Sequence, residues 1–311
     1  MASMFARRPL LTTATATSVF AAAYYVSQPR RPFMLDSAQN PPMKTLAFPK
    51  NMLFSKQLKV TNVEQINHDT KRITFALPGG DKEVSGVTPG AAILTQHTPS
   101  GAWLPIFRPY TPVHDLDQRG VLELMVKKYP DGRASGHMHS LNPGDELTVR
   151  GPLPGQWTTP KDQRDILCIA GGAGITPIYS LTKGILANPE DKTRIELLWG
   201  VNGTRDIVLK KELESLERQH PDRLRVIYAV SGPEAKPDAP SLGDEMKYRK
   251  GYVDKTLLQE AITRCQKDGA WGDAKGQKVF LCGPPKMEDA MVGKEGALTE
   301  LGVQKKEIHR F

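Results

Sequence analysis

Several short stretches of this sequence carry residue types that bind or transform ligands. Gly171-Gly172-Ala173-Gly174-Ile175-Thr176-Pro177 closes an apolar run and opens a helical one. Glycines let a backbone approach a phosphate closely, and the N–H groups of a first helical turn bind anions. Thr176 is predicted as the N-cap and Pro177 as the first helical residue. The glycine of the dinucleotide fingerprint is missing where Pro177 stands, so a plain tight turn before a capped helix is the competing reading. Cys282-Gly283-Pro284-Pro285-Lys286-Met287 ends the last apolar run. Its prolines predict a rigid loop that holds a compact thiol beside the mouth of the first loop; the alternative is a buried strand-end cysteine. Arg108-Pro109-Tyr110-Thr111 offers a bidentate fork for phosphate, a flat ring and a hydroxyl, or, alone, a strand end with a surface arginine. Val126-Lys127-Lys128-Tyr129 adds a cation and an aromatic, and Gly136-His137-Met138-His139-Ser140 is predicted as a second helix start. Asp206, in Gly203–Ile207, is a carboxylate placed to cap the following helix.

The elements that position these groups divide the chain in two. Between Phe54 and Gly151, short β runs alternate with Gly/Pro turns: Leu58–Val63, Arg72–Leu77, Ala91–Thr95, Pro105–Thr111, Val121–Tyr129 and Glu146–Arg150. This spacing predicts an antiparallel barrel, with one short helix around Gly136–Leu141. Past the Gly151–Gly155 joint the rhythm changes. Apolar runs at Ile166–Ala170, Ile195–Val201, Leu224–Val230 and Val279–Cys282 alternate with helical patterns from Pro177, at Val208–Arg218, Asp254–Cys265 and Lys286–Leu301. Continuous apolar strands with helical crossovers predict a parallel sheet covered on both faces, which binds ligands at the carboxyl ends of its strands. The predicted division is 1–50, 51–156 and 165–311.

The formal charge of +8 is less telling than it looks, because Arg7, Arg8, Arg30 and Arg31 precede the first acid, Asp36. The remaining excess of about four is too weak for nucleic acid and suits encounter with an acidic protein. Three cysteines without CxxC spacing support neither a disulfide framework nor a zinc site. His137 and His139 lie two apart, a metal pair or an incidental spacing, and no metal is expected. Residues 1–35 are rich in Arg, Ser, Thr and Ala, the composition of a mitochondrial presequence. Leu10–Val26 is an uncharged run of 17 residues, short for a membrane span and interrupted by four threonines. A membrane anchor with a Pro-rich tether from Gln28 to Lys50 is the expectation, a secretory signal peptide the alternative.

Taken together in this order, the Arg108, Lys127, Gly136, Gly171 and Cys282 blocks resemble the NADH–cytochrome b5 reductase family of the ferredoxin-reductase superfamily, from about Phe54 to Phe311, and the presequence resembles its fungal mitochondrial branch. The resemblance implies an FAD-binding β-barrel followed by a Rossmann-like NADH-binding domain. It places Arg108 on the FAD pyrophosphate, Pro109 and Tyr110 against the flavin, and Thr111 near its redox-active nitrogen. Val126, Lys127 and Tyr129 fall on the next FAD strand, and Gly136 to Ser140 on the turn that receives the pyrophosphate. In that turn Met138-His139 stands where other members carry Met-Ser, with Ser140 one place later. Gly172, Gly174, Thr176 and Pro177 match the NADH loop, Asp206 the ribose carboxylate, and Cys282, Gly283, Pro284 and Met287 the nicotinamide pocket; Phe311 joins the cofactor contacts. Thr111, Lys127 and Cys282 are the implied catalytic positions. The implied activity is hydride transfer from NADH to FAD and single-electron transfer to cytochrome b5 or a similar acidic haem protein, by a monomer held at the mitochondrial outer membrane or in the intermembrane space. An NADPH-linked flavin reductase and a non-catalytic dinucleotide-binding protein are the alternatives.

Overall fold

The computed structural model describes residues 44–45, 55–153, 164–232, 247–267 and 278–311. The apolar run Leu10–Val26 lies outside them, as do residues 28–43 and 46–50 of the tether. Among the described residues, no helix is long and apolar enough to cross a membrane.

In the first half, β1 (Lys44–Thr45) pairs with β4 (Glu83–Val84), while β2 (Lys56–Gln65), β3 (Thr70–Ala76), β5 (Ala92–His97), β6 (Ile106–Tyr110), β7 (Val121–Lys127) and β8 (Glu146–Leu153) form one antiparallel sheet. The strand order is β6-β5-β8-β2-β3-β7, and a bridge between Pro112 and Leu124 brings the two ends together. Period-two alternation drives the curl: Ile73, Phe75, Leu122, Leu124, Leu147 and Val149 point inward and are fully buried. A helix, α1 (Arg133–Ser140), plugs the barrel with Met138, which is 1% exposed.

The second half is a six-stranded parallel sheet, β9 (Asp165–Gly171), β10 (Arg194–Val201), β11 (Leu224–Val230), β12 (Tyr248–Lys250), β13 (Val279–Cys282) and β14 (Ile308–Arg310), in the order β12-β11-β10-β9-β13-β14. All seven residues of β9 are buried, because helices cover both faces. These are α2 (Ile175–Ala187), α3 (Lys210–Gln219), α4 (Lys255–Gln266), α5 (Pro285–Val292) and α6 (Ala297–Glu300). Three sequence expectations need correction. The helix predicted at Gly136 starts at Arg133, so Gly136 is its fourth residue and His137–Ser140 form its last turn. The final helix is two, since Gly293 and Gly296 sit where a side chain would strike the Asp289 and Met291 carbonyls. The strands β12 and β14, three residues each, were not anticipated.

The two halves share one seam. Val113 and Met125 of the barrel belong to the same apolar cluster as α2 and the parallel sheet. Arg72 pairs with Glu212 at 2.7 Å, Lys183 with Asp115, and Asn67 Nδ2 donates to the Arg205 carbonyl at 2.9 Å. Gly184 leaves room for Pro89, and the Phe311 ring lies over Gly90.

Candidate functional site

A cleft of about 220 Å³ opens on this seam at the carboxyl ends of the parallel strands. The barrel contributes Thr70, Met125, Lys127 and Tyr129; the sheet contributes the loop after β9, the ends of β10 and β11, and Pro284 and Met287 of the last loop. Two glycines build its floor. Gly172 has φ +50, a conformation in which a side chain is strained, and nothing lies within 4 Å of where its Cβ would project. Its carbonyl accepts from Trp199 Nε1 at 3.0 Å, which fixes the turn. Gly174 instead has an ordinary helical φ of −62 and is the N-cap of α2. Thr176 is therefore the second helical residue and not the cap; its hydroxyl donates to the Ala173 carbonyl at 3.3 Å. Pro177 is third and buried. Gly171 packs against Pro284 and Met287, which joins the two loops. Pro284 caps α5 and Pro285 opens it, so the expected rigid loop is a helix start; Gly283 N–H donates to Glu288 Oε1 at 3.1 Å.

The Cys282 carbonyl lies behind Gly174, and across the seam burial raises the Tyr129 hydroxyl's pKa against the opposing pull of Lys127. Burial, with Glu288 as the lesser cause, pushes the Cys282 thiol up to about 12. The group is a neutral thiol at physiological pH. Because the thiolate is the nucleophile, alkylation at pH 8 is expected to be about a thousandfold slower than for free cysteine. Intact-mass measurement during iodoacetamide treatment of the folded protein checks this, and rapid labelling at Cys282 would contradict it.

Lys127 and Asp206 are the charged side chains of the cleft lining. Lys127 bonds to Asp69 and, at 3.2 Å, to Asp206 Oδ1, while Asp206 Oδ2 accepts from the Gly203 N–H at 2.9 Å. Desolvation lowers the Lys127 pKa, but the two carboxylates outweigh it and the net shift is upward. His68, Asp69 and Asp206 could in principle hold a metal ion; here the Lys127 ammonium already bridges the two carboxylates.

On the barrel, β6 is an edge strand that presents exposed Arg108 and Pro109 and half-buried Tyr110, while Thr111 just beyond it is buried. Burial raises the Tyr110 hydroxyl to about 12, against the opposing pull of Arg108. The helix α1 packs on β6 and β7. Its first turn, Arg133 to Ser135, carries N–H groups with no intrahelical acceptor. The predicted turn residues face elsewhere: His139 Nε2–H donates to the Val126 carbonyl at 2.8 Å, Ser140 Oγ to the His137 carbonyl at 2.8 Å, and His137 stacks on His97 at 3.5 Å. The side chains of Val126 and Met138 are in the barrel core. Phe311 sits on Gly90 beside Phe280, apart from the cleft lining. Sequence reasoning missed Thr70, Met125, Asn202, Ser231 and Tyr252; Asn202 and Ser231 directly follow β10 and β11, so the strand-end rule could have found them.

Two family models match the two halves of the chain. The family described as "Oxidoreductase FAD-binding domain" matches residues 57–158, and "Oxidoreductase NAD-binding domain" matches residues 168–293. NADH-cytochrome b5 reductase 2 of Aspergillus oryzae is 40% identical over 266 residues, 82% of this chain and 76% of the relative. The chain belongs to the NADH-cytochrome b5 reductase family. The protein of the same name from Pyricularia oryzae is 38% identical over 281 residues, 87% of this chain and 78% of that one. Among solved structures, the cytochrome b5 reductase domain of Ulva prolifera nitrate reductase is 27% identical, with a TM-score of 0.67, over 88% of this chain and all of that domain. The reductase fold thus comprises an FAD-binding and an NAD-binding domain, and the residues present fit both groups. An exposed guanidinium on an edge strand beside a helix start is a donor set for a pyrophosphate. The open space over Gly172 is a cradle that a Cβ would fill.

Proposed function

We propose that this reductase takes a hydride from NADH onto FAD and passes the electrons singly to cytochrome b5 or a haem protein of similar acidity. The observation that carries the reading is the single cleft built by both domains, with the phosphate-type loop of Gly172 on one wall and Lys127 and Tyr129 of the FAD-binding domain on the other. FAD, when bound, supplies a centre that accepts two electrons as a hydride and releases them one at a time. The chain's own work is positioning. Arg108 and the first turn of α1 hold the flavin's phosphates, and Gly172 with the start of α2 holds those of the nucleotide. Ile175, Val201 and Met287 keep the cleft apolar, which limits water at the transfer step. Lys127, fixed between Asp69 and Asp206, keeps its charge at the cleft throughout.

The mild positive excess outside the N-terminal arginines favours an acidic partner by raising the encounter rate. The presequence composition and the run Leu10–Val26 support a mitochondrial membrane anchor, at the outer membrane or facing the intermembrane space. The test is anaerobic mixing. NADH is expected to bleach the flavin, and added cytochrome b5 to restore the yellow colour as its haem is reduced. A flavin that bleaches but stays reduced after the haem protein is added removes the proposed acceptor.

A further inference from the structure

We infer that this reductase uses NADPH as well as NADH, because the adenosine end of its cleft presents, among the described residues, a neutral hydroxyl, Ser231, and no unpaired carboxylate. The inference rests on the functional reading above and extends it to a second hydride donor. Asp206 is the one acid among the described residues of the cleft lining. Both of its oxygens are engaged: Oδ2 by the Gly203 N–H at 2.9 Å, Oδ1 by Lys127 at 3.2 Å. Its side chain is only 10% exposed. Lys127 thus offsets part of the charge of Asp206, and the short tether to Gly203 and Lys127 holds the carboxylate at the seam, turned to the barrel.

Position argues the same way. The nicotinamide must reach the flavin-binding domain, whose Lys127 and Tyr129 line the cleft. The phosphates belong at Gly172 and the start of α2, after the central strand β9. The adenosine then runs along the ends of β10 and β11, away from β13, towards Ser231 and Tyr252. Ser231 carries a small hydroxyl whose Oγ donates to the Val201 carbonyl at 3.3 Å. Tyr252 is 77% exposed and offers a flat face to a purine. Asp206, by contrast, is tied to the barrel at the seam. The chemistry balances identically for both donors: one hydride leaves nicotinamide C4 with its two electrons, the flavin is reduced, and NAD⁺ or NADP⁺ departs.

The test begins with binding. Calorimetric titration of the FAD-loaded full chain with NAD⁺ and with NADP⁺ is expected to give dissociation constants within about tenfold of one another, since among the described residues no unpaired acid opposes the 2′-phosphate. A larger preference for NAD⁺ overturns the inference. Ser231→Asp, checked for retained flavin, should raise the NAD⁺ preference by at least about tenfold by setting a carboxylate against that phosphate. An unchanged ratio in a flavin-loaded variant also overturns it, and if the variant does not fold, the ratio of the natural chain decides. Asp206→Asn should change the ratio by less than about tenfold, because Lys127 offsets part of its charge and holds it at the seam, away from Ser231; a larger swing towards NADP⁺ would return discrimination to Asp206. Anaerobic bleaching separates the two layers of the argument. Bleaching by NADH with rejection of NADP⁺ sinks this inference alone, whereas a flavin that neither donor bleaches sinks the function beneath it.

Discussion

Arg108→Ala is expected to give a folded protein that loses its flavin. Arg108 lies on the edge strand β6, exposed, with Nη1 donating to the neighbouring Phe107 carbonyl at 2.8 Å. The barrel core of Ile73, Phe75, Leu122 and Leu124 does not involve it, so truncation leaves the packing intact. Its value is the fork. A guanidinium matches two phosphate oxygens at once, and each charge-assisted bond contributes about 1.5–3 kcal/mol. Losing one such bond weakens FAD binding by about tenfold to a few hundredfold, and losing two by more. The purified variant should be pale, and fluorescence titration of flavin-stripped protein should show the weakened affinity while circular dichroism stays unchanged. Arg108→Lys keeps the charge without the planar fork and should fall between the two. Undiminished FAD affinity in Arg108→Ala would remove the arginine from the site.

Where the sequence was legible, one physical cause dominated the local pattern. The run Leu224–Val230 is β11 to the residue, and Ile166–Ala170 lies inside β9, because strands buried on both faces need apolar residues at every position. In the barrel, alternation located all six main strands. The start of α1 was misplaced because Gly136 suggests a boundary, whereas the chain turns at Asp131-Gly132 and the helix is held by the burial of Met138. The strands β12 and β14 are short and largely polar; pairing with the buried neighbours β11 and β13 makes them strands, and no local propensity records that. The Lys127 pairs with Asp69 and Asp206 span 58 and 79 positions, and the second joins the two domains. Each residue alone reads as a solvated charge, so the environment that decides what Asp206 can do was invisible until the chain was folded.

The loop after β9 contains two glycines present for different reasons, and their replacement should fail differently. At Gly174 the backbone is ordinary helix, so alanine is conformationally welcome. Space is the obstacle: a Cβ there would lie 2.5 Å from the Cys282 carbonyl carbon, closer still to its oxygen, and 3.0 Å from Gly283 N. These are backbone atoms of the β13 end and cannot rotate aside. Gly174→Ala must push the start of α2 away from β13, and overpacking against backbone belongs at the upper end of its range, about 3 kcal/mol. In a chain of this size that lowers the melting temperature by roughly 6–12 °C. The loop carrying Gly172 moves with it, so nucleotide affinity should fall as well. At Gly172 the obstacle is conformation, with φ +50 and open space above. Alanine there costs about 1–2 kcal/mol of strain, and its methyl points into the cleft where the nucleotide phosphates belong. Gly172→Ala should therefore melt only a few degrees lower, by about 2–8 °C, yet bind dinucleotide poorly. Thermal melts of both flavin-loaded variants, set beside NAD⁺ titration, separate the two causes. A Gly174→Ala protein that melts within about 2 °C of the natural chain would mean that α2 and β13 do not meet at this contact.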